Sequence, residues 1–484
     1  MSSNTLEKRS WMDGFIRFFN RWMPNSMVIA YVLTAVVVVL ALVFTSTPFV
    51  NFKPNIPLAQ LNAGVTANSV IEAWGAGFWS LLELAMQMSL ILITGSVIAA
   101  SPFVRMGLKK LASKPNNMGQ AILLVMLTIP LFNWFHFGLG IMLGIHLGRH
   151  IIMAAREKGY KIHNPLFVAI LYGCGITGIG ISQIAPVFGN STGLIKRVIF
   201  AAKPAEFLAN VPDRVPYAET VFSLQNVILC IVALIVCFGA IYLIRPKKEE
   251  NYVAPSNDLY EEIETQQKLY TQVRPKPTSV AEALDNSPIV NFIIGAFGIV
   301  WVVRFFAVDG QLNFNNFNML MLVIALLLSG TPNAFIRMVQ MSLGQTWGVI
   351  IQFPFYAGIF GIITYTGLNR VFVEFFMSFA TQGNWPLLTY IYTSIVNIAV
   401  PNGAAKFMVV APYAFEVAVE NNVPLSKMIL AYTAGDFSTN GFLPFWALPY
   451  LAMFKLDFKH ILPYTAIGGS AVYIIFMLFF IFIV

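Results

Sequence analysis

Charged residues are scarce in this sequence. Asp, Glu, Lys and Arg make up only 11% of its 484 residues, whereas a water-soluble chain carries about 25%. Hydrophobic residues make up 57%, and several apolar stretches reach about 20 residues, the length that crosses a bilayer as a helix. The shortage of charge therefore excludes an ordinary soluble protein and predicts an all-α polytopic membrane protein.

Cysteine is also rare, and several enzyme motifs are missing. The three cysteines, Cys174, Cys230 and Cys237, lie within apolar stretches, so the sequence offers no disulfide framework. It has no glycine-rich P-loop, which argues against transport driven directly by ATP, and no HExxH zinc motif. Because it also lacks a GxSG sequence or a paired acidic motif within a span, we expect neither an enzyme nor a bound cofactor.

Basic residues outnumber acidic residues, 30 to 22, which gives a net charge of +8. They stand beside the apolar stretches, as in the cytoplasmic loops of membrane proteins, so we expect no nucleic-acid partner. Residues 1–25 mix Arg9, Arg17 and Arg21 with aromatic residues, which predicts an amphipathic helix on the cytoplasmic membrane surface. We therefore expect a cytoplasmic N-terminus and no cleaved signal peptide.

The first half of the chain, residues 26–244, predicts a first transmembrane repeat. Within it, residues 119–148 are too short for two spans, yet basic residues stand on both sides of them. A re-entrant helical hairpin that enters and leaves on the cytoplasmic side satisfies both observations, with its tip at residues 133–138. Residues 164–195 then cross outward, and the glycine-rich segment 173–186 is expected to break this transmembrane helix.

A hydrophilic segment, residues 245–287, predicts a cytoplasmic linker between the halves. Residues 288–316 predict a connecting span and loop, and residues 317–484 predict a second repeat with inverted orientation. This second repeat contains a span at 317–335, a re-entrant hairpin with its tip at 400–406, and a broken helix. Two inverted repeats with hairpins and broken helices are typical of secondary transporters that bind substrate near the bilayer midplane.

The most informative stretch is AGDFSTNGFLPFWAL, residues 434–448, which lies between two apolar helical runs. Pro444 removes a backbone donor, and Gly435 and Gly441 loosen the backbone, so we expect the helix to break here. In a bilayer, a break is tolerated only where the freed backbone groups face protein or a water-filled cavity. The stretch is therefore a predicted binding site.

Two charged residues give this site its predicted chemistry. A helix that begins after the Pro401-Asn402-Gly403 tip would aim free N–H groups at the cavity and attract an anion. Lys406, about one turn farther along, either adds positive charge for a carboxylate substrate or only neutralises Asp436. Asp436 either coordinates Na⁺, exchanges a proton, or caps the next half-helix.

The predicted substrate site combines both hairpin tips with the second break: Asn133, His136, Asn402, Gly403, Lys406, Thr439 and Asn440. The predicted cation site draws on both breaks: Asp436, Ser438, Ser182, Gln183 and Thr177. Helix capping is the structural alternative for the hydroxyl and amide side chains, and packing among aromatic rings is the alternative for the histidine. Apart from Na⁺ as a candidate coupling ion, we expect no metal.

Three segments carry a resemblance to a known family: EAWGAGFWSLLELAMQMSLILITG at 72–95, PNGAAKF at 401–407 and GDFSTNGFLPFWALP at 435–449. They resemble the bacterial short-chain fatty acid transporter family of the ion transporter superfamily. The resemblance implies two inverted repeats with hairpins, a homodimer in the inner membrane and an elevator-like transport domain. It also implies import of small monocarboxylates by symport with a cation.

The sequence departs from the usual family pattern at the expected site. Lys406 stands where the second tip usually has glutamine, and Leu443 stands where a glutamine usually precedes the proline. In the first tip, His136 takes a position that is usually glycine. These changes leave open a different small carboxylate, such as a di- or hydroxycarboxylate, as the substrate. A passive anion channel is the other mechanism left open.

Overall fold

The computed structural model describes residues 26–62, 64–80, 82–200, 204–271, 277–308, 314–399 and 403–482. The regular elements within these ranges are all helices, which confirms the predicted all-helical fold. By length and composition, five described helices could cross a membrane, or six if the pair Ala85–Ala100 and Pro102–Ala112, bent by 72°, forms one span. The predicted amphipathic segment 1–25 lies outside the described residues.

The described residues between 26 and 112 form five helices: α1 Ser26–Phe44, α2 Leu58–Asn62, α3 Val70–Phe78, α4 Leu82–Ala100 and α5 Pro102–Ala112. Helix α3 packs closely against a helix of the second half. Gly77 makes this contact possible, because a Cβ there would lie 2.5 Å from the carbonyl oxygen of Ala357. Small residues commonly allow such close approach between membrane helices, and here they join the two halves of the chain.

The first hairpin consists of α6 (Met118–Phe135) and α7 (Phe137–Lys158), which meet at His136. The ammonium of Lys158 donates to the carbonyl oxygen of Ser113 at 2.5 Å, so the second arm returns to the level at which the first begins. The turn falls within the predicted tip.

The hairpin arms are longer than the sequence predicts. The helix was expected to end at residue 148, but α7 continues ten residues farther, to Lys158. Arg149 does not mark a surface loop, because its side chain is buried and its guanidinium pairs with Glu262 at 3.0 Å. The arms of 18 and 22 residues are each long enough to cross a bilayer, so the re-entrant path of the hairpin stays a prediction.

The first broken helix consists of α8 (Asn164–Gly173) and α9 (Ile184–Asn190), separated by an irregular segment at 174–183. The predicted break is therefore present. The segment lies directly on the first hairpin tip, because a Cβ on Gly180 would lie only 2.2 Å from the carbonyl oxygen of Trp134. The next elements are the π-helix Ile195–Ile199, α10 Ala205–Ala209, the 3₁₀-helix Tyr217–Glu219 and α11 Leu224–Leu243.

The hydrophilic linker contains the 3₁₀-helix Glu249–Asn251, α12 Asn257–Thr271 and α13 Val280–Asp285. It is attached to the helical core by charge. Glu262 on α12 pairs with Arg149 of α7 at 3.0 Å and with Lys455 of the second half at 2.5 Å. One linker carboxylate thus connects both halves of the chain.

The connecting part and the scaffold of the second half follow: α14 Pro288–Val308, α15 Phe314–Ser329, α16 Pro332–Ser342, the 3₁₀-helix Leu343–Gln345, α17 Trp347–Tyr365 and α18 Leu368–Met377. The helix predicted at 317–335 is shorter in the structure, where it lies at 314–329. Helix α15 ends before Gly330, whose φ of +82° suits glycine at a helix end, and Thr331 caps α16 by accepting from the Ala334 N–H at 3.2 Å.

The second hairpin consists of α19 (Trp385–Ala399) and α20 (Gly403–Glu420). Its predicted tip includes residues 400–402, which lie outside the described residues, and Asn402 is among them. The second broken helix follows: α21 Leu425–Ser438, the 3₁₀-helices Asn440–Phe442 and Phe445–Ala447, and α22 Leu448–Phe454. The final helix, α23, is Phe458–Phe482.

The second break lies within the predicted stretch 434–448 and begins only at Thr439, because Gly435 lies inside α21. Gly435 serves close packing: a Cβ on it would lie 2.6 Å from the carbonyl oxygen of Tyr390 on α19. Asp436 and Ser438 are therefore helical residues, and the irregular backbone starts at Thr439.

The order hairpin, broken helix, single helix occurs twice along the described chain. It is formed first by α6 to α11 and then by α19 to α23. The two closing helices, α11 and α23, pack against each other, and a Cβ on Gly468 would lie 2.7 Å from the Ile241 side chain. The inverted relationship between the two series stays a prediction.

Candidate substrate and cation site

A cavity of about 100 Å³ lies between the two broken helices and the hairpins. Six of the residues that line it were predicted from the sequence: Asn133, Ser182, Gln183, Gly403, Asp436 and Asn440. Because these residues come from both halves of the chain, the cavity depends on their association.

The first hairpin tip is bonded to the first break. The hydroxyl oxygen of Ser182 accepts from the Phe137 N–H at the start of α7, at 3.1 Å. The Ile181 N–H donates to the Trp134 carbonyl oxygen at 2.8 Å. These bonds satisfy freed backbone groups at the tip and the break, as a polar interruption within an apolar core requires.

The second hairpin contributes an ion pair with one hidden and one accessible partner. The ammonium of Lys406 lies 2.6 Å from Oδ1 of Asp436. The Lys406 side chain is fully buried, whereas 17% of the Asp436 side chain is exposed. Asp436 lines the cavity and Lys406 does not, so the carboxylate is the charged group that a solute meets.

Asn397 of α19 links this ion pair to the second break. Its Oδ1 accepts from the Lys406 ammonium, and its Nδ2 donates to Thr439 Oγ1 at 2.7 Å and to Asn440 Oδ1 at 2.8 Å. The Asn397 side chain is fully buried. Since lysine can only donate, this bond fixes which end of the amide faces it, and one amide connects the hairpin to the broken helix.

Two tyrosines, one on α8 and one on α21, donate hydrogen bonds to backbone carbonyl groups of residues that line the cavity. The Tyr172 hydroxyl, near the end of α8, donates to the carbonyl oxygen of Asn440 at 2.9 Å. The Tyr432 hydroxyl on α21 donates to the carbonyl oxygen of Gly403 at 2.6 Å. The first bond joins the two broken helices, and the second joins the second break to its own hairpin.

The structure places His136 away from the cavity. Its Nδ1 accepts from the Gly138 N–H at 3.2 Å, so the histidine caps α7. Its ring lies parallel to the Phe317 ring, with centroids 3.4 Å apart. The packing alternative considered for this residue therefore describes its position in this structure.

The other predicted residues mainly support the two breaks. Gln183 lines the cavity, but its side chain also bridges the first break, with Oε1 accepting from the Gly180 N–H at 3.0 Å. Ser438 receives a hydrogen bond from the Tyr390 hydroxyl at 3.2 Å. Thr177 is buried and does not line the cavity, and Thr439 is bonded to the amide described above.

Sequence reasoning considered Asn397 as a residue that either holds a hairpin turn or reaches the site, but it did not include Tyr172 or the aromatic wall of the cavity. Tyr172 stands one residue before the end of α8 at Gly173, where its hydroxyl can bond backbone groups that have no helical partner. Asn397 is a buried amide in an apolar helix, which is itself a signal of a polar partner within the membrane. Trp446 and Phe137, by contrast, look like ordinary core residues in the sequence.

Comparison of the whole chain with known proteins identifies its family. The family model described as short chain fatty acid transporter matches residues 10–483. The chain belongs to this family. An Escherichia coli K12 protein with the provisional name short-chain fatty acid transporter is 30% identical over 459 residues, which cover 94% of this chain and 96% of the relative. A Haemophilus influenzae protein with the same provisional name is 27% identical over 469 residues, with 96% and 97% coverage.

This short-chain fatty acid transporter family is a family of transporters and not of enzymes. This protein is a multi-pass membrane protein with a small-molecule substrate. Among solved structures, the YdaH transporter of Alcanivorax borkumensis aligns at 14% identity with a TM-score of 0.40, covering 94% of this chain and 98% of that one.

Proposed function

We propose that this transporter imports a small monocarboxylate by symport with a cation, either Na⁺ or H⁺. The observation that carries the proposal is the charge at the cavity. Among the described lining residues, Asp436 is the one with a formal charge, and its partner Lys406 is hidden behind it. An anion that enters alone meets the carboxylate of an ion pair that carries no net charge, and a cation or a proton bound at the cavity would supply the net positive charge that favours the anion.

The lining offers suitable groups for a cation. Hard cations bind oxygen atoms in proteins, and the cavity brings the Asp436 carboxylate together with the hydroxyl of Ser182 and the amide of Asn133. A proton on Asp436 would change the local charge in the same way. Both forms of coupling therefore act through the same side chain.

The substrate carboxylate then finds two kinds of donor. Helix α20 begins at Gly403 on the cavity wall, where the positive end of a helix favours an anion. Gly403 leaves room for this, because a Cβ there would lie 2.8 Å from Oδ2 of Asp436. The amide nitrogen of Asn440 has no partner among the described residues and can donate to a carboxylate.

The size of the cavity favours a short acid. Its volume is about 100 Å³. Pockets for drug-sized ligands measure roughly 300–1,000 Å³. A carboxylate with a short hydrocarbon tail fits this volume, whereas a long-chain fatty acid does not.

We further propose an elevator-like movement in which the hairpins and broken helices move as one unit. Each hairpin is bonded to its own broken helix, through Phe137 and Ser182 in the first half and through Lys406 and Asp436 in the second. The repeated order of elements and the family resemblance support two inverted repeats. Homodimerisation, an inner-membrane location and a cytoplasmic N-terminus belong to the same proposal.

The proposal is tested by uptake into proteoliposomes. Purified protein is reconstituted, and entry of labelled butyrate is followed under an inward Na⁺ gradient, an inward H⁺ gradient, both or neither, with the membrane potential clamped. Accumulation above equilibrium under one of the gradients is expected. Uptake that reaches the same equilibrium level under every condition contradicts symport and favours a passive channel.

A further inference from the structure

Part of the cavity wall is apolar and has no role in binding a carboxylate or a cation. It includes two rings, Phe137 at the start of α7 and Trp446 in the second break. Their centroids lie 5.6 Å apart with an interplanar angle of 75°, which is an edge-to-face contact. Met88 and Ile141 extend this surface.

The two rings are held in place by neighbouring residues. Trp446 packs edge-to-face against Phe445 at 5.0 Å, and Phe445 stacks on Phe353 of α17 at 5.0 Å. Phe137 is fixed at its backbone, because its N–H donates to the Ser182 hydroxyl. A solute tail therefore meets a supported wall that cannot easily move aside.

We propose that Phe137 and Trp446 set the length limit of the hydrocarbon tail that this transporter accepts. The inference rests on the proposed carboxylate transport and adds the group that selects among carboxylates. With the carboxylate held by the polar groups, the tail must lie against the apolar wall. Each buried methylene strengthens binding about fourfold, until the tail reaches the rings and further length causes overpacking.

A smaller side chain in either ring position enlarges the space for the tail. Trp446→Leu and Phe137→Leu keep the wall apolar but replace a ring with a smaller side chain. Both variants are therefore expected to accept acids that are one or two methylenes longer than those preferred by the unmodified protein. Because two methylenes are each worth about fourfold, we expect the preference for hexanoate over butyrate to rise by up to about 16-fold.

The experiment measures competition in proteoliposomes. Uptake of labelled butyrate is inhibited by unlabelled acids of two, four, six and eight carbons, and the ratio of inhibitory concentrations is compared between proteins. This ratio does not depend on the amount of active protein, so reduced folding yield does not affect it. Phe479→Leu, a buried aromatic residue of α23 that does not line the cavity, is the control.

The possible outcomes separate the inference from the proposed function. A shift toward longer acids in the two cavity variants and not in the control supports the inference. Trp446→Phe, a milder change, is expected to shift the ratio in the same direction by less. Butyrate transport with an unchanged ratio in all variants overturns the length limit but leaves carboxylate transport intact. An unmodified protein that transports no carboxylate contradicts the proposed function itself, and this inference with it.

Discussion

The ammonium of Lys406 lies 2.6 Å from Oδ1 of Asp436, and only Asp436 reaches the cavity. Lys406 therefore positions the Asp436 carboxylate from the side that faces away from the cavity. The sequence left two roles open for Lys406, substrate contact and neutralisation of Asp436. In this conformation the geometry corresponds to the second role.

The stability of this ion pair can be measured with a double-mutant cycle. Lys406→Met and Asp436→Asn each leave one partner without its counter-ion, and each is expected to lower the free energy of unfolding by about 3 kcal/mol. The double variant is expected to lose clearly less than the sum, because it leaves no unpaired charge. Chemical denaturation in detergent measures all four proteins. Strict additivity of the two single effects would show that the residues do not interact.

Asn397 is predicted to position the second break for transport. Asn397→Leu removes its bonds to Lys406, Thr439 and Asn440 and leaves these buried groups with fewer partners. The expected cost is about 2–3 kcal/mol of stability, with a higher KM for the carboxylate because Asn440 is no longer oriented. Proteoliposome kinetics and denaturation measure both effects.

The matched control is Asn226→Leu. Asn226 is also a fully buried amide, but its Nδ2 donates to the carbonyl oxygens of Ile179 and Val221, outside the cavity lining. Its replacement should lower stability without raising KM. Equal KM values for the two variants would contradict a positioning role for Asn397.

The ion pairs that Glu262 of the linker forms with Arg149 and Lys455 are predicted to contribute to stability. Glu262→Gln removes the charge that pairs with the buried Arg149 and with Lys455. Because the glutamate itself is 28% exposed, the expected loss is about 1–3 kcal/mol, below that of a fully buried pair. Glu264→Gln on the same helix breaks a pair whose two side chains are 53% and 44% exposed, and it should cost at most about 0.5 kcal/mol. Equal losses of stability in the two variants would argue against a stabilising role for the Glu262 ion pairs.

His163 is predicted to make stability depend on pH. It lies in the loop before α8, where Nδ1 accepts from the Val253 N–H at 2.8 Å and burial lowers the pKa of the imidazole to about 4. In the unfolded chain this side chain has a pKa of about 6.5. Between about pH 4 and pH 6.5 the unfolded chain therefore binds more protons than the folded chain. Stability should therefore fall as the pH drops from about 6.5 toward 4.

The variant His163→Gln should reduce this pH dependence. Between pH 7 and pH 5, the histidine should account for about 1–2 kcal/mol of the loss in stability. Thermal or chemical unfolding of both proteins at a series of pH values measures the difference. Parallel pH profiles would show that the imidazole is not the titrating group.

The sequence predicted the elements of the site better than their connections. Proline and glycine mark both breaks, because their effect on a helix is local, and the length of residues 119–148 together with the basic residues around them placed the first tip. Gly435 shows the limit of this reasoning. The residue can loosen a helix or allow a close contact, and here the backbone of Tyr390 lies where a Cβ would stand. Only the packed structure distinguishes these two uses of glycine.

Contacts between distant residues were beyond the reach of sequence reasoning. Arg149 was interpreted as a loop residue because its partner, Glu262, lies 113 positions later in the chain. Phe137 and Trp446 share one wall of the cavity although they belong to different halves. The chemistry of Asp436 and Lys406 could be predicted because charges are rare in this chain. Which of the two faces the cavity depends on side-chain directions at the tip.

The most direct test of the central claim is gradient-driven uptake by Asp436→Asn. Labelled butyrate is followed into proteoliposomes with and without the driving cation gradient, using Asp436→Glu to keep the charge and Asp285→Asn, an exposed linker acid, as controls. We predict that Asp436→Asn loses accumulation above equilibrium, while both controls keep it. Accumulation by Asp436→Asn to the wild-type level, with unchanged dependence on the cation, would contradict the proposed role of this carboxylate.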